Sequence, residues 1–94
     1  MAIREDPEEY ETAALKQMVP SIVGARVLEI GCGDGRLTER YADSARSIIA
    51  VDPDVDAIAE LTRKLPRVQA YALGAEQLDI PAGSIDVILF SWSL

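Results

Sequence analysis

The chain has 94 residues, enough for one small domain, and a formal net charge of −7 from 16 acidic and 9 basic side chains. An acidic chain without a basic cluster is poorly suited to gripping nucleic-acid phosphates. It has no histidine and one cysteine, Cys32, which excludes a Ser-His-Asp triad, a Cys-His pair, His-ligated zinc and an internal disulfide.

Hydrophobic residues make up 49% of the chain and charged residues 27%, the balance of a folded globular protein. No apolar run reaches the roughly 20 residues that span a bilayer. Met1 to Glu11 carries five acidic residues and only Arg4 as a base, unlike a signal or transit peptide. A cytoplasmic protein is the expectation.

The first predicted element is a helix. Asp6 suits the cap, Pro7 the first helical position and Glu9 the third, as in a capping box. Tyr10, Ala13, Ala14 and Met18 recur at helical spacing, and Pro20 ends the run. A strand follows at Arg26 to Ile30, then a glycine loop, then a helix from about Gly35 to Ala42 with Leu37 and Tyr41 facing inward. Ser47 to Val51 is an unbroken small-to-apolar run, the pattern of a strand covered on both faces. A third helix is expected from Asp54 to Leu65, with Val55, Ile58, Leu61 and Leu65 on its buried side. Its acids Asp54 and Asp56 sit at the start and Arg63 and Lys64 at the end, matching the helix dipole.

Val68 to Leu73 reads as a weaker strand and Ala75 to Leu78 as a short helical turn. Pro81 to Ser84 is a loop, and Ile85 to Phe90 is the strongest strand pattern in the chain. Alternating strands and helices predict a Rossmann-like α/β sandwich of three layers (αβα) around a mostly parallel sheet. The chain is expected to form one partial domain over 1–94, with 1–24 as an N-terminal helix and lead-in.

Two motifs carry chemistry. Glu29-Ile30-Gly31-Cys32-Gly33-Asp34-Gly35 joins the first strand to its helix. Glycine is needed where a Cβ would strike a ligand or where φ is positive, and three at alternate positions let backbone pass close beneath a cofactor. The helix that follows would present its N-terminal amides to an acceptor group. Asp52, 21 residues after Gly31, ends the second strand, where a carboxylate can bind both hydroxyls of a ribose.

A dinucleotide fingerprint would place glycine six positions into the loop, where this chain has Arg36. The pattern instead resembles the first motif of class I S-adenosylmethionine-dependent methyltransferases, carried by Val27-Leu28-Glu29-Ile30-Gly31-Cys32-Gly33-Asp34-Gly35-Arg36-Leu37. Val51-Asp52-Pro53-Asp54 is similar to that family's ribose-binding motif. Gly74-Ala75-Glu76-Gln77-Leu78 and Pro81 to Ile88 are similar to its adenine-side loop and fourth strand, as in the small-molecule type often called type 11.

The resemblance implies S-adenosylmethionine as cofactor and methyl transfer to a small-molecule acceptor. It implies strand order 3-2-1-4 for these four strands of a sheet that has seven in the family. By the same resemblance Gly31, Cys32, Gly33 and Gly35 would lie against the methionine and ribose portion. Glu29 would sit near the methionine amino group, and Ser91 would approach the methionine through its backbone. Asp52 would bind the ribose, Pro53 would pack beside adenine, and Ala75 and Glu76 would line its edge. Many relatives carry an acidic residue where this chain has Gly74, so the contact to the adenine amino group is either lost or taken over by Glu76.

Plainer roles stand beside these. The glycines can serve a tight turn, Asp52 can cap the next helix, Cys32 can be packing, and Glu29 and Glu76 can be solvated charges. Trp92 and Tyr10 can line the site or fill a core. Two other functions remain open: a dinucleotide-binding oxidoreductase fragment, and a non-catalytic module completed by a second chain. The second would cover an apolar edge at 85–94 carrying Val87, Ile88, Leu89, Phe90, Trp92 and Leu94, as a homodimer or with another partner.

Overall fold

The computed structural model describes residues 21–91. The expected first helix, Tyr10, and Trp92 to Leu94 lie outside the described residues. Four strands form one parallel sheet: β1 (Arg26–Ile30), β2 (Ser47–Val51), β3 (Gln69–Tyr71) and β4 (Val87–Phe90). Their order is β3-β2-β1-β4, as expected. Val27 pairs with Ile48 on one side and Val87 on the other, and Ala50 pairs with Ala70, so these side chains share a face.

Two helices cover that face, α1 (Thr38–Tyr41) and α2 (Val55–Lys64). Leu37 and Tyr41 from the α1 segment meet Ile58 and Leu61 of α2 over Val27, Ile48, Ala50 and Leu89, forming the core. Right-handed crossovers require this. The chain steps from β1 to β2 to β3 in one direction, so both helices fall on one side. It then returns past β1 to β4, which sends the β3–β4 connection across the opposite face. There Leu73, Leu78, Ile80 and Ile85 of the connection and Ile49 and Tyr71 of the sheet line a cleft of about 390 Å³.

Several boundaries differ from expectation. α1 is four residues long rather than running from Gly35, because Gly35 has φ +89°, outside the helical region. The first helical bond, Glu39 N–H to Gly35 O (2.9 Å), is nonetheless in place. β3 and β4 are shorter than their apolar runs, since strand assignment ends where pairing with β2 and β1 ends. In α2, Ile58 and Leu61 are buried as expected, but Val55 is 67% exposed. It is the first residue of α2, one turn ahead of the buried Ile58. Of the expected apolar edge, Leu89 is buried against the helices while Ile88 stands 46% exposed on the other face.

Polar contacts fasten the frame. Arg26 grips Asp86 through Nε (3.0 Å), Nη2 (2.9 Å) and its backbone N–H (2.8 Å), tying the start of β1 to the residue before β4. Those bonds hold the Asp86 carboxyl well below the usual carboxylate range. Lys64 reaches Glu39 (2.9 Å) to link the helices, and Arg67 donates to the carbonyls of Ala42 and Ala45 just beyond α1.

Candidate functional site

The carboxyl ends of β1 and β2 meet at the glycine loop. The N–H groups of Gly31 (2.9 Å) and Cys32 (3.2 Å) both donate to Val51 O, and Gly35 N–H donates to Cys32 O (3.0 Å). Gly33 N–H donates to Asp52 Oδ2 (3.0 Å), while Asp54 N–H donates to Asp52 Oδ1 (2.9 Å). These loop amides are therefore engaged within the protein. α1 itself begins only at Thr38, beyond the loop.

The loop needs glycine for two distinct reasons. Gly33 has φ +56°, and a Cβ built there meets nothing within 4 Å, so its backbone borders open space. Gly35 has φ +89°, and a Cβ there would lie 2.9 Å from Leu61 Cγ in the core. One glycine keeps the crevice open and the other lets α2 close on the loop.

Asp52 is half-buried, facing Gly33 on one side and the turn into α2 on the other. The cap of α2 is Asp54, whose side chain accepts from Ala57 N–H (3.1 Å), so helix capping does not explain Asp52. Each of its carboxylate oxygens accepts one of the bonds named and keeps a further lone pair. Asp52 N–H donates to Tyr71 O (3.2 Å), which brings the segment after β3 to the same sheet end. Pro53 is exposed beside it.

The 3-10 turn Ala75–Gln77 follows, pinned by Gly74 N–H donating to Gln77 Oε1 (2.8 Å). Ala75 and Glu76 are exposed on it. The Glu76 side chain folds back over Gly74, and its carboxylate fills the place that a Cβ on residue 74 would take.

Glu29 points away from solvent, at 0% exposure. Its Oε1 accepts from Thr38 Oγ1 (2.7 Å) and Tyr41 Oη (2.5 Å), and its Oε2 accepts from Ser91 Oγ. Burial pushes the Glu29 carboxyl up, against the pull of those three hydroxyls. Tyr41 is pushed up by its own burial and by the Glu29 charge. Ser91 N–H continues the β1–β4 ladder to Ile30 O (2.9 Å), and its hydroxyl also reaches Gly31 O (3.5 Å). Cys32 is buried and its thiol is pushed up by burial and by the Glu29 and Asp52 charges, which makes it a packing residue rather than a nucleophile.

Thr38 escaped the sequence reading. Its signal was the i, i+3 spacing to Tyr41, which sets both hydroxyls on one helix face. Among the described residues no group of three or more Cys, Asp and Glu is placed to hold a metal ion. The crevice fits an adenosyl cofactor: open backbone at Gly33, a half-buried carboxylate beside it, and an acidic turn at the end of the next strand.

A methyltransferase-domain family profile matches residues 27–94. The chain is 35% identical over 74 residues to a probable S-adenosylmethionine-dependent methyltransferase of Mycobacterium tuberculosis, covering 79% of this chain and 27% of that protein. It is 29% identical over 76 residues to a demethylmenaquinone methyltransferase of Renibacterium salmoninarum, covering 81% of this chain and 32% of that one. In fold it matches a phosphoethanolamine N-methyltransferase of Haemonchus contortus, with TM-score 0.80 at 23% identity, over 94% of this chain and 20% of that one. The chain belongs to the class I S-adenosylmethionine-dependent methyltransferase family. It spans about a quarter to a third of the length of these curated relatives. Family membership decides between the two cofactor classes in favour of the sulfonium cofactor.

Proposed function

We propose that this chain binds S-adenosylmethionine in the crevice between the glycine loop and Asp52, and serves methyl transfer to a small-molecule acceptor. The observation that carries the reading is the bond from Gly33 N–H to Asp52 Oδ2, which joins two motifs 19 residues apart into one site. Gly31 and Gly33 border the methionine and ribose, Asp52 takes the ribose hydroxyls, and Pro53, Ala75 and Glu76 flank the adenine. The bound cofactor supplies an activated methyl group on sulfur. The protein's part is to orient it and keep water from it. With no histidine among these residues, any base that this segment itself supplies is an Asp, Glu, Tyr or Lys.

A small acceptor accords with the chain's −7 charge, which disfavours nucleic acid, and with the relative named for demethylmenaquinone. A cytoplasmic location goes with this reading. No helix among the described residues is long and apolar enough to cross a membrane. Calorimetric titration with S-adenosylmethionine and S-adenosylhomocysteine tests the proposal, with binding of both expected. A folded chain that binds neither at millimolar concentration overturns it.

Glu76 is proposed to stand in for the acidic residue missing at position 74, since its carboxylate fills that place. A carboxylate accepts from the adenine amino group but repels the carbonyl of hypoxanthine, so binding should favour S-adenosylhomocysteine over its inosyl analogue by about tenfold. Glu76→Ala is expected to erase that preference. An unchanged preference in the variant reduces Glu76 to a surface charge.

A second reading rests on β4, an edge strand among the described residues, with Ile88 46% exposed: a second copy or another chain pairs along that edge. Light scattering during the same titration reads it, a dimer supporting the pairing of copies and a monomer opposing it.

A further inference from the structure

The turn Ala75–Gln77 flanks the adenine in the proposed function, yet little burial holds it in shape. Ala75, Glu76 and Gln77 are exposed, and none of residues 72–86 is buried. On either side of the turn, Leu73 and Leu78 are half-buried and line the cleft with Ile49 and Tyr71. A segment with so few buried contacts opens locally at low cost unless hydrogen bonds close it.

Gln77 supplies that closure. Its backbone N–H donates to Gly74 O (3.0 Å), and its side-chain Oε1 accepts from Gly74 N–H (2.8 Å). Both backbone groups of residue 74 are thus tied to residue 77. In a full capping box the residue at the cap contributes a side chain as well, but glycine has none, so the side-chain part falls to Gln77 alone. Glycine also has the most backbone freedom to lose, which makes the pin matter most at this position. The pinned residue is joined to the ribose side of the crevice. Tyr71 O accepts from Asp52 N–H (3.2 Å) and from Leu73 N–H (3.0 Å), so one carbonyl seats Asp52 and sets the lead-in to Gly74. The Glu76 carboxylate lies over Gly74 inside the segment that Gln77 closes.

We propose that Gln77 is a positioning residue for adenine recognition: its side-chain oxygen, by holding Gly74 N–H, closes the turn that sets the Glu76 carboxylate at the adenine edge. This deepens the proposed function and rests on it. Gln77 touches no ligand in this scheme. It orders the turn in the free protein, so that binding does not have to fix those backbone angles.

The test is Gln77→Leu, which keeps a side chain of similar size beside the apolar cleft and removes the acceptor. Kd is measured by calorimetry for S-adenosylhomocysteine and its inosyl analogue. The variant is expected to lose about fivefold in affinity for the first and less than twofold for the second, so the preference for adenine falls from about tenfold to about twofold. Its urea midpoint should stay at that of wild type, because the side chain is exposed. Gln77→Glu keeps an oxygen at the same reach, as capping boxes with glutamate do, and should restore the preference. In the Glu76→Ala background, Gln77→Leu should not change the ratio further, since two residues acting through one carboxylate are not additive. Equal losses for the two ligands would mean that Gln77 only steadies the crevice, and no loss would mean that its bond is idle. Either result overturns the inference, as does a Gln77→Glu variant that restores nothing.

If Gln77→Leu does not fold, amide exchange on the wild-type protein decides. Gly74 N–H should exchange at least about tenfold more slowly than in an unstructured peptide. Exchange at the unstructured rate would show that the bond to Gln77 is not held in solution, and overturns the inference. That measurement needs no ligand, so it stands apart from the cofactor reading, which fails if the wild-type protein binds neither compound.

Discussion

Replacing Asp52 by Ala is expected to weaken S-adenosylmethionine binding by about 1–3 kcal/mol, roughly five- to 150-fold. Two losses add. The ribose hydroxyls lose their acceptor, and the loop loses the bonds from Gly33 N–H and Asp54 N–H that hold the crevice in shape. The second loss also lowers stability, by about 1 kcal/mol, because two backbone donors lose their protein partner. Calorimetry and urea melts on the same variant separate these effects. Asp52→Asn keeps one acceptor oxygen and should fall between wild type and Ala in both measurements. If stability drops while affinity does not, Asp52 is a strut of the loop and the ribose role is wrong.

The largest effect on stability is expected at Gly35. An alanine there adopts φ +89° and places its Cβ 2.9 Å from Leu61 Cγ and 3.2 Å from Leu61 Cδ1. Leu61 is fully buried, and Cγ is the branch point of its side chain, so it cannot swing clear as a flexible tip would. Backbone strain of about 1–3 kcal/mol and overpacking of about 1–3 kcal/mol together predict a loss of about 2–6 kcal/mol. Gly33→Ala is the contrasting case. Its φ is +56° and its Cβ direction is open, so stability should fall by only about 1–2 kcal/mol. The new methyl group instead projects into the crevice and should weaken cofactor binding. Denaturant melts of the two variants should differ clearly. Similar stabilities would show that the approach of α2 to the loop is not close.

Much of this was legible in the chain. Ser47 to Val51, unbroken and rich in β-branched residues, favoured a covered strand, and β2 forms there with Ile48, Ala50 and Val51 buried. The strand–loop–helix alternation and right-handed crossovers pointed to a doubly wound parallel sheet, while the order β3-β2-β1-β4 was what the family resemblance implied. Gly31, Gly33, Gly35 and Asp52 stood out because residue type and spacing are local facts. The limits of α1 were less legible. Leu37 and Tyr41 have helical spacing, but the positive φ of Gly35 delays the helix, and spacing does not reveal the angle at a glycine. Val55 misled for a related reason. It continues the apolar period of α2, yet it is the helix's first residue and stands exposed, and periodicity does not show where along a helix the packing begins.

The direction taken by the acidic side chains was settled only in three dimensions. Val27 and Glu29 share one face of β1 while Leu28 and Ile30 share the other, and apolar residues stand on both faces of the sheet. The sequence by itself determined the order of elements, the glycine loop and the carboxylate at the end of β2, since these depend on residue chemistry and near neighbours. The tertiary structure decided that Glu29 turns inward to Thr38, Tyr41 and Ser91, that Gly35 abuts Leu61, and that Asp52 receives Gly33 N–H. Each of these contacts joins residues between 9 and 62 positions apart, and which of them meet is fixed by how helices and strands pack, not by any spacing along the chain.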